Sequence, residues 1–161
     1  MNLLPAAIAI IFNEKEQVLL VKRKDVDVWV LPGGGIEPAE SPENAVRRET
    51  EEETGYSISI MRKCAEYLPI NRLASETHVF ICKVLAGKME LSDETSGIAF
   101  FSINSLPTSI FPPHAIWIEE AINNQDIIKR PLIEVTYWAL CKYFLCHPIK
   151  ILKHAWNRFL Q

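Results

Sequence analysis

Apolar and polar positions divide the chain into short strands, one acidic helix and a helical end. Ala6–Phe12 and residues 17–22 are apolar runs separated by the polar stretch Asn13-Glu14-Lys15-Glu16, which predicts a hairpin. Residues 28–31 read as a short strand leading into three consecutive glycines, Gly33–Gly35. Ser41 has the chemistry of an N-cap, Pro42 suits a first helical position, and Gly55 suits the residue that ends a helix. Those marks predict a helix over Pro42–Thr54. Residues 57–68 and 77–85 are rich in β-branched and aromatic side chains and read as strands, with a further strand over 98–103. Residues 113–123 have helical spacing around Ile116, Trp117 and Ile118. Residues 132–146 and 149–160 read as two C-terminal helical pieces broken at Pro148. The order of strands, central helix, strands and helices predicts a mixed α/β layer architecture.

The predicted central helix is unusual in its charges. Glu49, Glu51, Glu52 and Glu53 place four carboxylates in five residues, which repel one another on a helix at neutral pH. Glu49, Glu52 and Glu53 stand at i, i+3 and i+4 and so share one face, while Glu51 points elsewhere. Arg48 lies four residues before Glu52, within reach to orient or partly neutralise it. A helix with few apolar residues beyond Ala45 and Val46 is not obviously held by burial. One account is a solvated charged helix after a flexible turn. That account fits poorly, because the charges are not interspersed as on an ordinary solvated face. The other account is a cation site, since oxygen-rich clusters suit Mg²⁺ or Mn²⁺. Glycines 33–35 let backbone approach a ligand closely and can offer carbonyls to a metal or N–H groups to a phosphate. Glu40 closes the loop between glycines and helix.

Placed residue by residue, the run resembles the Nudix hydrolase box, G-x5-E-x7-R-E-U-x-E-E-x-G-U, with U a bulky apolar residue. Gly34, Glu40, Arg48-Glu49, Glu52-Glu53 and Gly55 take its fixed positions, and Tyr56 takes the last U. Thr50 departs from the pattern, where an aliphatic residue is expected to pack the helix inward. The preceding Trp29 to Gly34 also resembles the usual approach to that box. The resemblance implies a Nudix-type α/β/α sandwich with a mixed sheet over roughly residues 4–124, here extended by C-terminal helices. It also implies hydrolysis of the pyrophosphate bond of a nucleoside diphosphate linked to another moiety: a nucleotide sugar, ADP-ribose, a nucleoside triphosphate or a dinucleotide. By the same resemblance, Glu49, Glu52 and Glu53 ligate metal, with Gly33 a further ligand through its carbonyl. Arg48 orients the glutamates, and Glu53 and Glu52 also serve the chemistry. Glu94, in Ser92-Asp93-Glu94-Thr95, is the candidate for the extra base or ligand that many members carry on a later loop, and it reads equally well as a solvated turn acid. Gly34, Gly35 and Arg23 are the candidate substrate contacts, and Arg23, at the end of the second strand, reads as easily as a surface charge. The competing function is a Nudix-fold nucleotide-binding or regulatory module without turnover, which usually accompanies loss of box glutamates.

Composition adds limits. The chain has 161 residues, enough for one domain with a core, and a net charge of −3, which gives a general nucleic-acid-binding role no support. From Pro131 onward, Lys142, Lys150, Lys153 and Arg158 outweigh the single acid Glu134, a net of +3 that leaves −6 on the remainder. Division is expected into a Nudix domain over 1–130 and a helical extension over 131–161. The last part is basic and amphipathic, with Ile149, Leu152, Trp156 and Phe159 on one stripe. It is expected to pack on the domain or to serve a homodimer contact, ahead of membrane-surface contact. Cys64, Cys82, Cys141 and Cys146 form no C-x-x-C pair and no zinc-finger spacing with histidine, as expected for free thiols in a cytoplasmic protein.

Overall fold

A computed structural model of the chain describes residues 4–135. The expected helices beyond that point lie outside the described residues. Eight strands form one mixed sheet: β1 (Ala6–Phe12), β2 (Gln17–Arg23), β3 (Trp29–Val30), β4 (Gly33–Gly35), β5 (Tyr56–Leu68), β6 (Thr77–Gly87), β7 (Thr95–Ser102) and β8 (Ile128–Pro131). The two α-helices among the described residues are α1 (Pro42–Thr54) and α2 (Pro112–Asn123). β1 is central. It runs antiparallel to β2 and β4 and parallel to β6. A strand covered on both faces reads as a continuous apolar run, and the residues of β1 from Ala7 to Ile11 are all buried.

Alternation along β1 and β2 splits the interior into two layers. Ile8, Ile10, Val18 and Leu20 face one side, where they pack with Tyr67, Val79, Trp117 and Ile118 under α2. Ala7, Ala9, Ile11 and Leu19 face the other side, where they pack with Ala45, Val46, Phe80 and Cys82 under α1. The result is an α/β/α sandwich with the box helix on one face and the aromatic-rich helix on the other.

The boundaries differ from expectation in three places, each for a tertiary reason. The glycines are a strand and not a free loop: Gly33, Gly34 and Gly35 pair with Ile8, Ala7 and Ala6. β7 begins at Thr95, three residues before the apolar run, because pairing with β2 reaches to Arg23↔Thr95. Leu132, expected to open a helix, instead follows strand β8, and residues 132–135 are extended or turning. β8 pairs in parallel with β5, and the Leu132 N–H donates to the Leu68 carbonyl at 2.8 Å.

β8 ends in a clasp. Arg130 donates from Nε and Nη2 to the Glu120 carboxylate at 3.0 and 3.1 Å. It also holds Glu134 through Nη2 at 2.5 Å, and it lies 4.7 Å over the Tyr67 ring. Leu132 is buried, so residues just beyond the expected boundary at 130 belong to the core.

Candidate active site

α1 starts where Ser41 Oγ accepts the Asn44 N–H at 3.2 Å, with Pro42 in the first turn. It stops at Gly55, whose φ of 74° is left-handed and whose N–H donates to the Glu51 carbonyl at 2.8 Å. Between those ends, Ala45, Val46, Thr50 and Thr54 form the buried stripe. The weak packing expected from Thr50 has a local remedy. Its hydroxyl donates to the Val46 carbonyl at 2.7 Å, and Thr54 does the same to Thr50 at 2.6 Å. With their hydroxyls satisfied, the two threonines sit in the core as small apolar groups do. Burial therefore does hold this helix, by a narrow stripe of small side chains.

That close seat brings the acidic face onto the glycine strand. The Gly33 N–H donates to Glu53 Oε2 at 2.9 Å. Gly33 has a φ of 141°, and a Cβ there would stand 2.2 Å from the Ala7 carbonyl oxygen. At Gly34 a Cβ would stand 2.4 Å from Glu49 Oε2, so the missing side chain is the space the Glu49 carboxylate occupies. Gly35 has only Leu4 nearby, at 3.8 Å, and its carbonyl accepts from Arg48 Nη2 at 3.0 Å.

Arg48 is the hub. Its Nε and Nη2 each donate to Glu40 at 3.0 Å, and its Nη1 donates to Glu49 at 2.8 Å and to Glu52 at 3.3 Å. Glu40 also accepts the Glu37 N–H at 3.0 Å, closing the loop ahead of the helix. The Arg48 guanidinium beside Glu40 holds that carboxyl below the usual carboxylate range. Glu53 is shifted the other way. Burial pushes it up to about 7, and the neighbouring charges of Glu49 and Glu94 add to the rise, while the Gly33 N–H and Arg23 oppose it.

Glu94 and Arg23 come to the same place from the far edge of the fold. Arg23 ends β2 and Glu94 precedes β7, two strands paired up to that edge with a register shift at Lys22/Arg23. Both are close enough to shift Glu53, and Glu94 also supports the charge of Arg23. Arg23 is committed to Asp25 by two hydrogen bonds, at 2.8 and 2.7 Å, which hold it charged. Arg23, Glu49 and Glu94 thus all act on the charge of Glu53, with Glu52 at the exposed margin, its side chain 60 % accessible.

A divalent cation fits the donor chemistry: hard carboxylate oxygens, one of them costly to ionise without a cation, beside a cradle that a Cβ would fill. The set is not preassembled. Among the described residues no three carboxylate, imidazole or thiol side chains stand grouped as a ready metal cage. Arg48 explains why, since it holds Glu49 and Glu52 toward itself.

His114, which has no motif around it, contributes from the opposite face. It is buried on α2, and its Nδ1 accepts the Leu31 N–H at 2.8 Å, two residues before Gly33. Burial drives its pKa down to about 3, so the ring is neutral and that nitrogen is free to accept. Trp29 is half-buried with its ring edge-on to Phe101 at 4.8 Å, a packing role. Cys64 and Cys82 are buried free thiols.

Residues 2–121 match the NUDIX domain, and the chain belongs to that family. By class it is a Nudix pyrophosphohydrolase. A relative in Bacillus subtilis (strain 168), provisionally named 8-oxo-dGTP diphosphatase, is 39 % identical over 123 residues, 75 % of this chain and 82 % of that one. An ADP-ribose pyrophosphatase of Methanocaldococcus jannaschii is 33 % identical over 108 residues, 63 % of each chain. Among solved structures, a UDP-X diphosphatase superposes with a TM-score of 0.67 at 27 % identity, over 81 % of this chain and 68 % of that one. Among the described residues, no helix is long and apolar enough to cross a membrane.

Proposed function

We propose that this protein hydrolyses the pyrophosphate bond of a free nucleoside diphosphate derivative in a reaction that depends on Mg²⁺ or Mn²⁺. One observation carries the reading. The Glu49 carboxylate fills the space left by Gly34 while Glu53 is held by the Gly33 N–H, so two box glutamates are fixed against the glycine strand. Glu49, Glu52 and Glu53 would hold the metal, with the Gly33 carbonyl a further ligand. When bound, divalent cations neutralise the pyrophosphate oxygens and make a coordinated water more acidic.

The chain's own residues do the rest. Arg48 keeps Glu49 oriented and holds Glu52 loosely enough to turn toward a cation. Glu53 titrates near neutrality, so it can give up its proton when a cation arrives. Glu94, on the loop before β7 and close enough to act on the charge of Glu53, would take the proton of the attacking water. Arg23 sits at the rim beside both acids and contacts substrate phosphate once Asp25 yields. Gly35 leaves room for the diphosphate along the strand, the space at Gly34 being taken by the Glu49 carboxylate.

The three relatives above are named for an oxidised nucleoside triphosphate, ADP-ribose and a UDP derivative. Shorter matches to RNA pyrophosphohydrolases, 48 % identical over 62 residues in one case, add a fourth type. Among the first three, identity is highest for the oxidised nucleoside triphosphate, and that substrate heads the test. Purified protein is assayed with 8-oxo-dGTP, ADP-ribose, UDP-sugars and dinucleotides, each with Mg²⁺, Mn²⁺ or chelator. Hydrolysis that chelator abolishes supports the proposal. Binding of nucleotide without hydrolysis across the panel replaces it with the regulatory module.

A further inference from the structure

The loop that carries Glu94 has no regular secondary structure of its own, yet it is tied at several points. β2 and β7 pair up to Arg23↔Thr95, with a register shift between Lys22 and Arg23. Beyond that last pair the Lys24 N–H donates to the Glu94 carbonyl at 3.0 Å, a further rung past the ladder. The Lys24 ammonium then reaches across to the same loop. Its Nζ donates to the Asp93 carbonyl at 2.9 Å and to the Ser92 carbonyl at 3.2 Å. Ser96 Oγ donates back to the Lys22 carbonyl at 3.2 Å. Inside the loop, the Ser92 N–H donates to Thr95 Oγ1 at 2.9 Å, and the Glu94 N–H donates to Ser92 Oγ at 3.2 Å.

One side chain therefore binds two successive carbonyls of a loop 68 and 69 residues away in sequence. An ordinary surface lysine gains little from such an arrangement, because ordering its long side chain costs entropy. What the arrangement secures is the direction of the next residue, Glu94, whose charge acts on Glu53 and Arg23. We propose that Lys24 is a positioning residue: through its ammonium and its backbone N–H it clamps the 92–94 turn and keeps the Glu94 carboxylate turned toward the box glutamates. A cationic clamp on backbone carbonyls serves this purpose better than an ion pair with Glu94 would, because it leaves that carboxylate uncommitted. The inference rests on the reading of Glu94 given above.

The test is a double-mutant cycle on the full chain with whichever panel substrate it hydrolyses, using Lys24→Met, Glu94→Gln, both together, and Lys24→Arg. Lys15→Met, on the exposed β1–β2 turn, is the control. Lys24→Met is expected to lower kcat about tenfold with KM within about twofold, and Lys24→Arg to recover most of the loss. In the Glu94→Gln background, Lys24→Met should have no further effect, a coupling that a general loss of stability would not produce. Equal, multiplicative losses in the two backgrounds overturn the proposal. So does a Lys24→Met protein with normal kcat while Glu94→Gln is impaired. Amide exchange at Ser92 and Glu94 reads the clamp without any turnover. It should speed up in Lys24→Met and not in Lys15→Met, and unchanged exchange overturns the clamp even if no panel substrate is cleaved. A Glu94→Gln protein with full activity removes the role of Glu94 and the inference with it, while hydrolysis itself stands.

Discussion

The two faces of the central sheet hold charge in opposite ways. Under α2, charge is paired: Arg130 is shared by Glu120 and Glu134, and Tyr67 donates to Glu120 at 2.5 Å. The one orphan there, among the described residues, is the neutral Trp117 indole N–H, buried without a hydrogen-bond partner. His114 there is neutral and uses its lone pair on a backbone N–H. Under α1, Glu53 is half-buried, with Glu49 and Glu94 acting against its charge, and is hard to ionise. The α2 face therefore stabilises the fold, and the α1 face keeps electrostatic stress that a cation would relieve. Satisfied networks rigidify a structure, whereas an under-compensated carboxylate marks a place prepared for a ligand.

The largest expected effect comes from removing the stressed group. Glu53→Gln should lower metal-dependent hydrolysis by about 10²–10⁴-fold. The same change should raise stability of the metal-free protein at pH 8 by about 1–3 kcal/mol, read by urea unfolding. The sign follows from the raised pKa. The folded state favours protonated Glu53, so its contribution to stability is full below the ordinary value of 4.5 and is lost as pH rises through about 7. Glutamine stays neutral throughout. Full activity in Glu53→Gln would remove the role given to that residue. A destabilised Glu53→Gln protein at pH 8 would erase the contrast between the two faces.

Cutting into the satisfied face comes next. A chain ending at Arg130 loses buried Leu132 and the Glu134 partner of Arg130, and should be destabilised by about 3 kcal/mol or more. A chain ending at Val135 keeps both and should unfold at a clearly higher urea midpoint than the chain ending at Arg130. Comparing the two by urea unfolding, and by size exclusion against the full chain, also tests the tail as an association element. Equal midpoints for the two truncations would show that the clasp contributes little.

Smaller effects sharpen the contrast further. Gly34→Ala should displace the Glu49 carboxylate and weaken Mn²⁺ binding about tenfold, read by titration, with little change in urea midpoint. His114→Phe removes the acceptor of the Leu31 N–H and should cost about 1–3 kcal/mol. Wild-type stability should also fall as pH drops from about 6.5 toward 3, because the folded state holds His114 unprotonated while the unfolded chain takes up its proton. That pH-dependent part should be smaller in His114→Phe. The apparent Mn²⁺ affinity should rise as pH passes through about 7, since Glu53 must lose its proton to bind.

Much of this was legible in the residues. The caps at Ser41 and Gly55 bounded α1 correctly because helix ends are set by local hydrogen bonds and by the left-handed turn that glycine permits. The sharing of one face by Glu49, Glu52 and Glu53 followed from helical periodicity. β4 and β8 were missed because glycine triplets and four-residue segments carry no period; they are strands only because β1 and β5 offer free edges. His114 was missed because its partner, Leu31, is 83 residues away.

The sequence by itself determined the family, the acidic face of α1 and the reaction class, since these rest on neighbours within one helix and one loop. The tertiary fold is what makes the glycines a strand, lets Thr50 and Thr54 be core residues, and brings Glu94 and Arg23 close enough to act on the charge of Glu53. Those facts depend on sheet pairing and burial, which bring together groups that no local pattern connects.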